Sequence, residues 1–166
     1  MPSRLDYFIR RVSAQRACLN AAARDLAALP GPVLEFGLGN GRTFDHLRSL
    51  FPDREIYVFE RDVAAHPDCI PDADHLFEGD FSDTVPAARV RIGASAALIH
   101  GDFGSANLER DARLAAWMGT ILPPFSAPGG LIITDRALVT APFEAVHLPD
   151  DVEEGAYFMY PTPASA

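Results

Sequence analysis

The chain predicts an α/β fold: a doubly wound, mostly parallel sheet with helices on both faces. Three observations carry this. From about residue 31 onward, short apolar runs alternate with segments of helical period, the pattern of a parallel sheet with crossover helices. The first apolar run leads into Glu35-Phe36-Gly37-Leu38-Gly39-Asn40-Gly41, a glycine loop followed by a helix start. The length, 166 residues, suits one domain able to bury a full core.

Residues 5–29 predict an additional N-terminal helix. Leu5, Val12, Leu19 and Leu26 recur every seventh position, with Phe8, Ile9, Ala22 and Ala23 beside them. Arg4, Arg10, Arg11, Arg16 and Arg24 occupy much of the rest, and Leu29-Pro30-Gly31-Pro32 stops the helix. Such a helix packs on the sheet, covers a pocket as a lid, or joins copies of the chain into a homo-oligomer. Residues 1–30 are thus this helix and residues 31–160 the sheet core, within a single domain.

Strand one spans 32–36 and its helix 42–50. Strand two, 55–60, is rich in β-branched and aromatic residues. A short third strand covers 75–78. A helix over 82–91 has Ser82 or Asp83 as its cap. Strand four covers 96–100, a helix 106–122, a loop 123–128, and strand five 130–135. After Asp135 no helix fits. Segments 143–148 and 156–160 are strand-like and joined by an acidic turn, which predicts an antiparallel C-terminal hairpin and seven strands in all. Residues 161–166 are expected to be loose.

The glycine loop carries most of the chemistry. Glycine removes the Cβ that would keep a ligand from the backbone, and the next helix opens with unpaired N–H groups. A dinucleotide loop places a third glycine or an alanine at its sixth position; here that position is Arg42. Glu35 also opposes a diphosphate. Like charges roughly 4 Å apart cost about 4 kcal/mol at an effective dielectric near 20. A ligand with a positive group beside the loop suits Glu35 better.

The stretch from Val33 to Thr43 resembles motif I of the class I S-adenosylmethionine-dependent methyltransferases, acid-x-Gly-x-Gly-x-Gly. The resemblance extends over about residues 33–160. It implies a Rossmann-like sheet with the last strand placed between strands five and six. The implied cofactor is S-adenosyl-L-methionine, which carries an ammonium, a sulfonium and one carboxylate. Glu35, Gly37, Gly39, Asn40, Gly41 and Thr43 would surround its amino-acid end. Glu60, ending strand two, would accept the ribose hydroxyls, with Arg61 beside it. Gly79-Asp80-Phe81 resembles the segment that holds the adenine, although Asp80 alone reads equally well as a helix cap or turn residue. The resemblance puts the methyl acceptor near Ile99-His100-Gly101-Asp102-Phe103. His100 and Asp102 are the candidate catalytic residues, His100 because its ordinary pKa lies near neutrality and because that loop would touch the cofactor. A histidine at a strand end can instead be a hydrogen-bonded structural residue. Tyr157, Tyr160 and His147 are candidates to line the pocket from the hairpin.

The segment also resembles the small-molecule O-methyltransferases that hold magnesium at the ends of strands four and five. Asp102 and Asp135 would supply two oxygens. His100 stands where a further acid would be, and Arg136 places a cation beside Asp135, so no metal is expected.

Net charge is −9, with 23 acids against 14 cations. This argues against nucleic acid as the partner, because phosphate binding needs a basic face. No apolar run is long enough for a membrane span. Cys18 and Cys69 form neither a ligand spacing nor a disulfide framework, which suits a cytoplasmic protein. The expected function is transfer of a methyl group from S-adenosyl-L-methionine to a small-molecule acceptor. The alternatives are a nicotinamide-dependent oxidoreductase and a non-catalytic, oligomeric cofactor-binding protein.

Overall fold

Ser3 starts the first helix, α1 (Arg4–Asp25). Its hydroxyl accepts from the Asp6 N–H while the Asp6 carboxylate accepts from the Ser3 N–H, so two donors that a helix start leaves orphaned are satisfied. The computed structural model describes residues 2–105 and 107–164. The remaining helices are α2 (Arg42–Leu50), α3 (Phe81–Ile92) and α4 (Leu108–Ile121). The strands are β1 (Val33–Phe36), β2 (Ile56–Glu60), β3 (Leu76–Glu78), β4 (Ala96–Gly101), β5 (Ser126–Thr134) and β6 (Phe158–Pro161).

The sheet order is β3-β2-β1-β4-β5-β6. Neighbours from β3 through β5 are parallel, and β6 runs antiparallel to β5. Strand order reverses between β1 and β4, and in such sheets ligands bind outside the carboxyl ends at that point. The alternation along each strand divides the core. Val33, Leu98, Leu131 and Ile133 face α1 and α2. Leu34, Phe36, Ile99 and Ile132 face α3 and α4. Phe36 stacks on Phe59 at 4.2 Å between ring centroids, and Phe59 on Phe77 at 4.9 Å, which ties the β3 edge to the centre of the sheet. Such pairs contribute about 0.5–1.5 kcal/mol each beyond burial.

The sheet has six strands rather than the expected seven. The antiparallel pairing at the C-terminal edge is present, between β5 and β6. Residues 143–148 reach it through one backbone bond, from the Val146 N–H to the Met159 carbonyl at 2.8 Å. Pro142 and Pro149 flank that segment and cannot donate to a ladder, and most of its residues are exposed, so no buried face holds it flat. β5 starts earlier than expected. Ser126 pairs with Ala96, and the register shifts before Leu98 meets Leu131. The Thr162 hydroxyl at the end of β6 donates to the Ala127 carbonyl at 2.7 Å across this irregular stretch. The expected helix start at Ala106 lies outside the described residues. Asn107 caps α4, its side chain accepting from the Arg110 N–H at 3.0 Å. No helix among the described residues is long and apolar enough to cross a membrane.

The carboxyl ends of β1 and β4 meet at Gly37. Its φ is +97°, and a Cβ there would lie 2.3 Å from the Asp102 carbonyl oxygen. That neighbour is backbone, held by the Asp102 N–H donating to the Phe36 carbonyl at 3.0 Å. Gly37→Ala is expected to lower the unfolding free energy by about 1–3 kcal/mol, the usual range for forced overpacking. Urea denaturation measures it, and a variant as stable as the parent would contradict this close approach.

Candidate functional site

The loop after β1 is built around the Glu60 carboxylate. One Glu60 oxygen accepts from the N–H groups of Leu38 at 2.8 Å and Gly39 at 3.1 Å. The other accepts from Arg61 at 2.8 Å and Asp62 at 3.2 Å. The end of β2 thereby fixes the glycine loop. The three loop glycines answer to different neighbours. Gly37 admits the Asp102 backbone, and Gly41 admits Cys69, whose Cβ would lie 2.5 Å from an added methyl. Gly39 has no atom within 4 Å of its Cβ position. The space beside it opens into a cleft.

That cleft, of about 430 Å³, lies at the carboxyl ends of the strands. It brings together the sequence-predicted Gly37, Gly39, Glu60, Arg61, Asp80 and Phe81, and Asp102 joins them from β4. Asp80 stands at the N-cap of α3 yet makes no capping bond through its side chain, so its carboxylate is left for the cleft. Phe81 meets Phe36 edge-on at 5.5 Å, which fixes its ring in the wall. Arg61 pairs with Asp62 at 2.9 Å on the rim. Asn40 is exposed, Thr43 is half-buried in the first turn of α2, and Gly41 is buried against Cys69; none of the three lines the cleft.

The facing wall comes from α4, through Arg110, Leu114 and Trp117. Sequence reasoning assigned these residues only to a helix. Trp117 is the chain's single tryptophan and stays partly exposed, but the pattern of α4 does not say which wall it lines.

Glu35 and His100 lie behind this cleft, on the α1 side of the sheet. They are register partners on β1 and β4, and both are fully buried. Neither Glu35 oxygen has a hydrogen-bond partner among the described residues. Burial, reinforced by the charges of Asp102 and Glu60, raises the Glu35 carboxyl well above the usual carboxylate range. His100 is pushed down to about 4, chiefly by burial.

Gln15 of α1 decides the His100 tautomer. Its amide nitrogen donates to the Asp102 carboxylate at 3.1 Å, which fixes which end of the amide is the donor. The same nitrogen lies 3.3 Å from His100 Nε2, so Nε2 accepts and the ring proton sits on Nδ1. Arg11, also from α1, pairs with Asp102 at 2.7 Å. Tyr157 stacks over His100 with centroids 6.2 Å apart, and burial raises its phenol above the ordinary value. The arginine and glutamine of α1 escaped the sequence reading as site residues. Gln15, a polar residue on the buried face between Ala14 and Cys18, was the visible clue.

Asp135 accepts from the N–H groups of Phe103 at 3.3 Å and Gly104 at 3.2 Å, and Arg136 stands 3.5 Å from it. Burial, then Asp102, raises its carboxyl to about 6. Arg136 also reaches Asp111 at 3.1 Å, and Asp111 holds Ser105 through backbone and hydroxyl. These acids serve to shape the loop after β4. Among the described residues no cluster of three His, Cys, Asp or Glu is placed to hold a metal. Of the hairpin candidates, Tyr157 reaches the site. The Tyr160 hydroxyl accepts from the Leu138 N–H at 2.9 Å as part of the core, and His147 lines a separate cleft.

A family model described as S-adenosyl-L-methionine methyltransferase matches residues 2–162. The chain is similar to an S-adenosyl-L-methionine methyl transferase of known crystal structure from Silicibacter pomeroyi DSS-3. The two are 45% identical over 96% of this chain and 99% of that one, with a TM-score of 0.90. Two more distant structures share the fold. The MycE methyltransferase of the mycinamycin biosynthetic pathway, solved with Mg, SAH and mycinamycin VI, is 17% identical, with a TM-score of 0.58. That match covers 98% of this chain and 49% of MycE. A 16S rRNA (adenine(1408)-N(1))-methyltransferase from Catenulisporales acidiphilia, solved with cosubstrate SAM, is 12% identical over 87% of this chain and 91% of its own, with a TM-score of 0.50. No curated protein sequence matches the chain.

The His100 environment has a measurable signature. Nitrogen-detected NMR is expected to show a neutral ring, protonated on Nδ1, down to about pH 4. The folded value lies below the unfolded one, so the stability it contributes is complete above pH 6.5 and is lost as pH falls through about 4. Asp135 runs the other way, because its raised carboxyl favours the folded state on the acid side of about 6. Urea melts of parent and His100→Gln separate the two: the variant should lose less stability on acidification. Equal slopes, or a ring that titrates near its ordinary value, would contradict the buried neutral assignment.

Proposed function

Because the chain belongs to the S-adenosyl-L-methionine methyltransferase family, we propose that it transfers the cofactor's methyl group to a small-molecule acceptor held at the carboxyl ends of β4 and β5. The observation that carries the acceptor class is charge. The cleft is lined by Glu60, Asp80 and Asp102 against Arg110 and Arg61, the latter already paired with Asp62, in a chain of net charge −9, a poor surface for a polyanionic acceptor.

The residues present fit the cofactor. S-adenosyl-L-methionine supplies an electrophilic methyl on a sulfonium, which passes in line to a nucleophile. Glu35 supplies counter-charge beneath the glycine loop. Burial shifts its unpartnered carboxyl toward the neutral form, and a nearby ammonium would favour the ionised one. Glu60 holds the glycine loop through four backbone N–H groups and lines the cleft, where its carboxylate would lie beside the ribose. Asp80, whose side chain makes no capping bond, would face the adenine amine, and the Phe81 ring would pack beside the base. Gly39 leaves the room that a side chain would fill.

Asp102 is the candidate catalytic residue, because it lines the cleft where the acceptor would sit. Arg11 and Gln15 hold it from α1. His100, neutral and with Nε2 already accepting, is a weak base at neutral pH; its role here is to position Gln15 and Asp102. Orientation and exclusion of water carry much of the rate in such a transfer.

Glu60→Ala is expected to weaken cofactor binding by about 1.5–3 kcal/mol, roughly ten- to a hundredfold, because the glycine loop loses the charge-assisted hydrogen bonds that hold it. Gly39→Val should abolish binding by filling the cleft. Calorimetric titration with S-adenosyl-L-methionine checks both, and parental affinity in both variants would place the cofactor elsewhere. The acceptor class is read by incubating the enzyme with methyl-labelled cofactor and a cell extract. Label is expected in the small-molecule fraction. Label in acid-precipitated RNA or protein would refute the acceptor class while leaving the cofactor site intact.

A further inference from the structure

The first turns of α1 carry an apolar stripe that the body does not cover. Leu5, Phe8, Ile9 and Val12 recur at the i, i+3, i+4, i+7 spacing of one helix face. Leu5 is 64% exposed, Phe8 44% and Ile9 51%, and Tyr7 beside them is 56% exposed. The same seven-residue line is buried further on, at Leu19 and Leu26. The stripe is therefore continuous in sequence, and its support ends near Val12.

The helix runs antiparallel to the sheet. Arg11 and Gln15 lie at the carboxyl end of β4, while Arg24 and Leu26 flank the amino-terminal half of β5 at Gly129–Leu131. The uncovered turns therefore project past the carboxyl ends by roughly 12 Å for eight residues at 1.5 Å each. Two more exposed apolar residues follow strands at that end, Leu108 at the start of α4 and Val139 after β5.

Charge points to the occupant. Five of the 14 cations but only two of the 23 acids lie in residues 1–30, so that segment carries +3 and residues 31–166 carry −12. Two of these arginines already find acids of the body within the chain: Arg10 pairs with Glu153 at 3.0 Å and Arg11 with Asp102 at 2.7 Å. Arg4, nearer the tip, has no ion pair among the described residues. An anionic membrane or nucleic acid would attract the helix end but meet the strongly acidic body as well.

We propose that the projecting turns of α1 dock against the acidic body of a second copy of this chain, forming a two-fold dimer. Leu5, Phe8 and Ile9 supply the buried centre, and Arg4 the charged edge. Two-fold symmetry lets each copy give one helix end and receive one. A stable complex buries about 800 Å² per partner, more than about two projecting turns of helix offer, so the partner's body must take part. This inference is independent of the acceptor class and of the cofactor.

Light scattering coupled to gel filtration tests it on the full chain. The parent is expected to elute at twice its 18.0 kDa mass. Phe8→Glu/Ile9→Glu, and separately Leu5→Glu, should shift it to the single-chain mass with an unchanged circular dichroism spectrum. Higher salt should move the parent toward the monomer, since part of the contact is ionic. A monomeric parent overturns the proposal. So does a folded variant that stays dimeric, including one that loses methyl transfer while dimeric, because the stripe would then serve the acceptor.

Discussion

The Glu35 carboxyl is the constraint on which the site depends. It sits on β1, at the centre of the sheet, with no exposed surface and no hydrogen-bond partner among the described residues. A buried polar group left unpaired costs about 1–3 kcal/mol, and an ionised one more. Burial favours its neutral form. An apolar residue in its place would pack against Val58 and the α1 face without that penalty. The site therefore retains a group whose natural complement is a cation. A diphosphate at the glycine loop would offer none, whereas the ammonium of S-adenosyl-L-methionine would.

The second feature is that α1 belongs to the site rather than only covering it. Gln15 joins His100 to Asp102, and Arg11 pairs with the same carboxylate. The residue at the strand end and the helix that precedes the whole sheet thus form one network. Its burial sets the histidine's protonation, and its exposed end, Asp102, faces the cleft. Such networks couple their members, so the effect of changing one residue depends on whether the others remain.

Much of this was legible in the sequence, for identifiable reasons. The strand-loop-helix at residues 33–43 has a local signal, since three glycines and an acid specify a backbone shape. Glu60, Asp80 and Asp102 were legible because parallel strands deliver their ends to one edge. The environment of His100 was not legible, because it depends on Gln15, 85 residues away. Arg110 and Trp117 were missed for the same reason: their facing the cleft is set by how α4 packs, not by α4's own pattern. The seventh strand was overestimated from the apolar content of residues 143–148. Pro142 and Pro149 at its borders carried the contrary information.

The most direct test is a structure of the protein with S-adenosylhomocysteine, the demethylated cofactor. The adenine is predicted against Asp80 and Phe81, the ribose at Glu60, and the amino-acid end over Gly37–Gly39 with its ammonium on the Glu35 side. A ligand seated instead in the separate cleft of about 420 Å³ beside Arg24 and His147, or one that leaves the glycine loop untouched, would contradict the account.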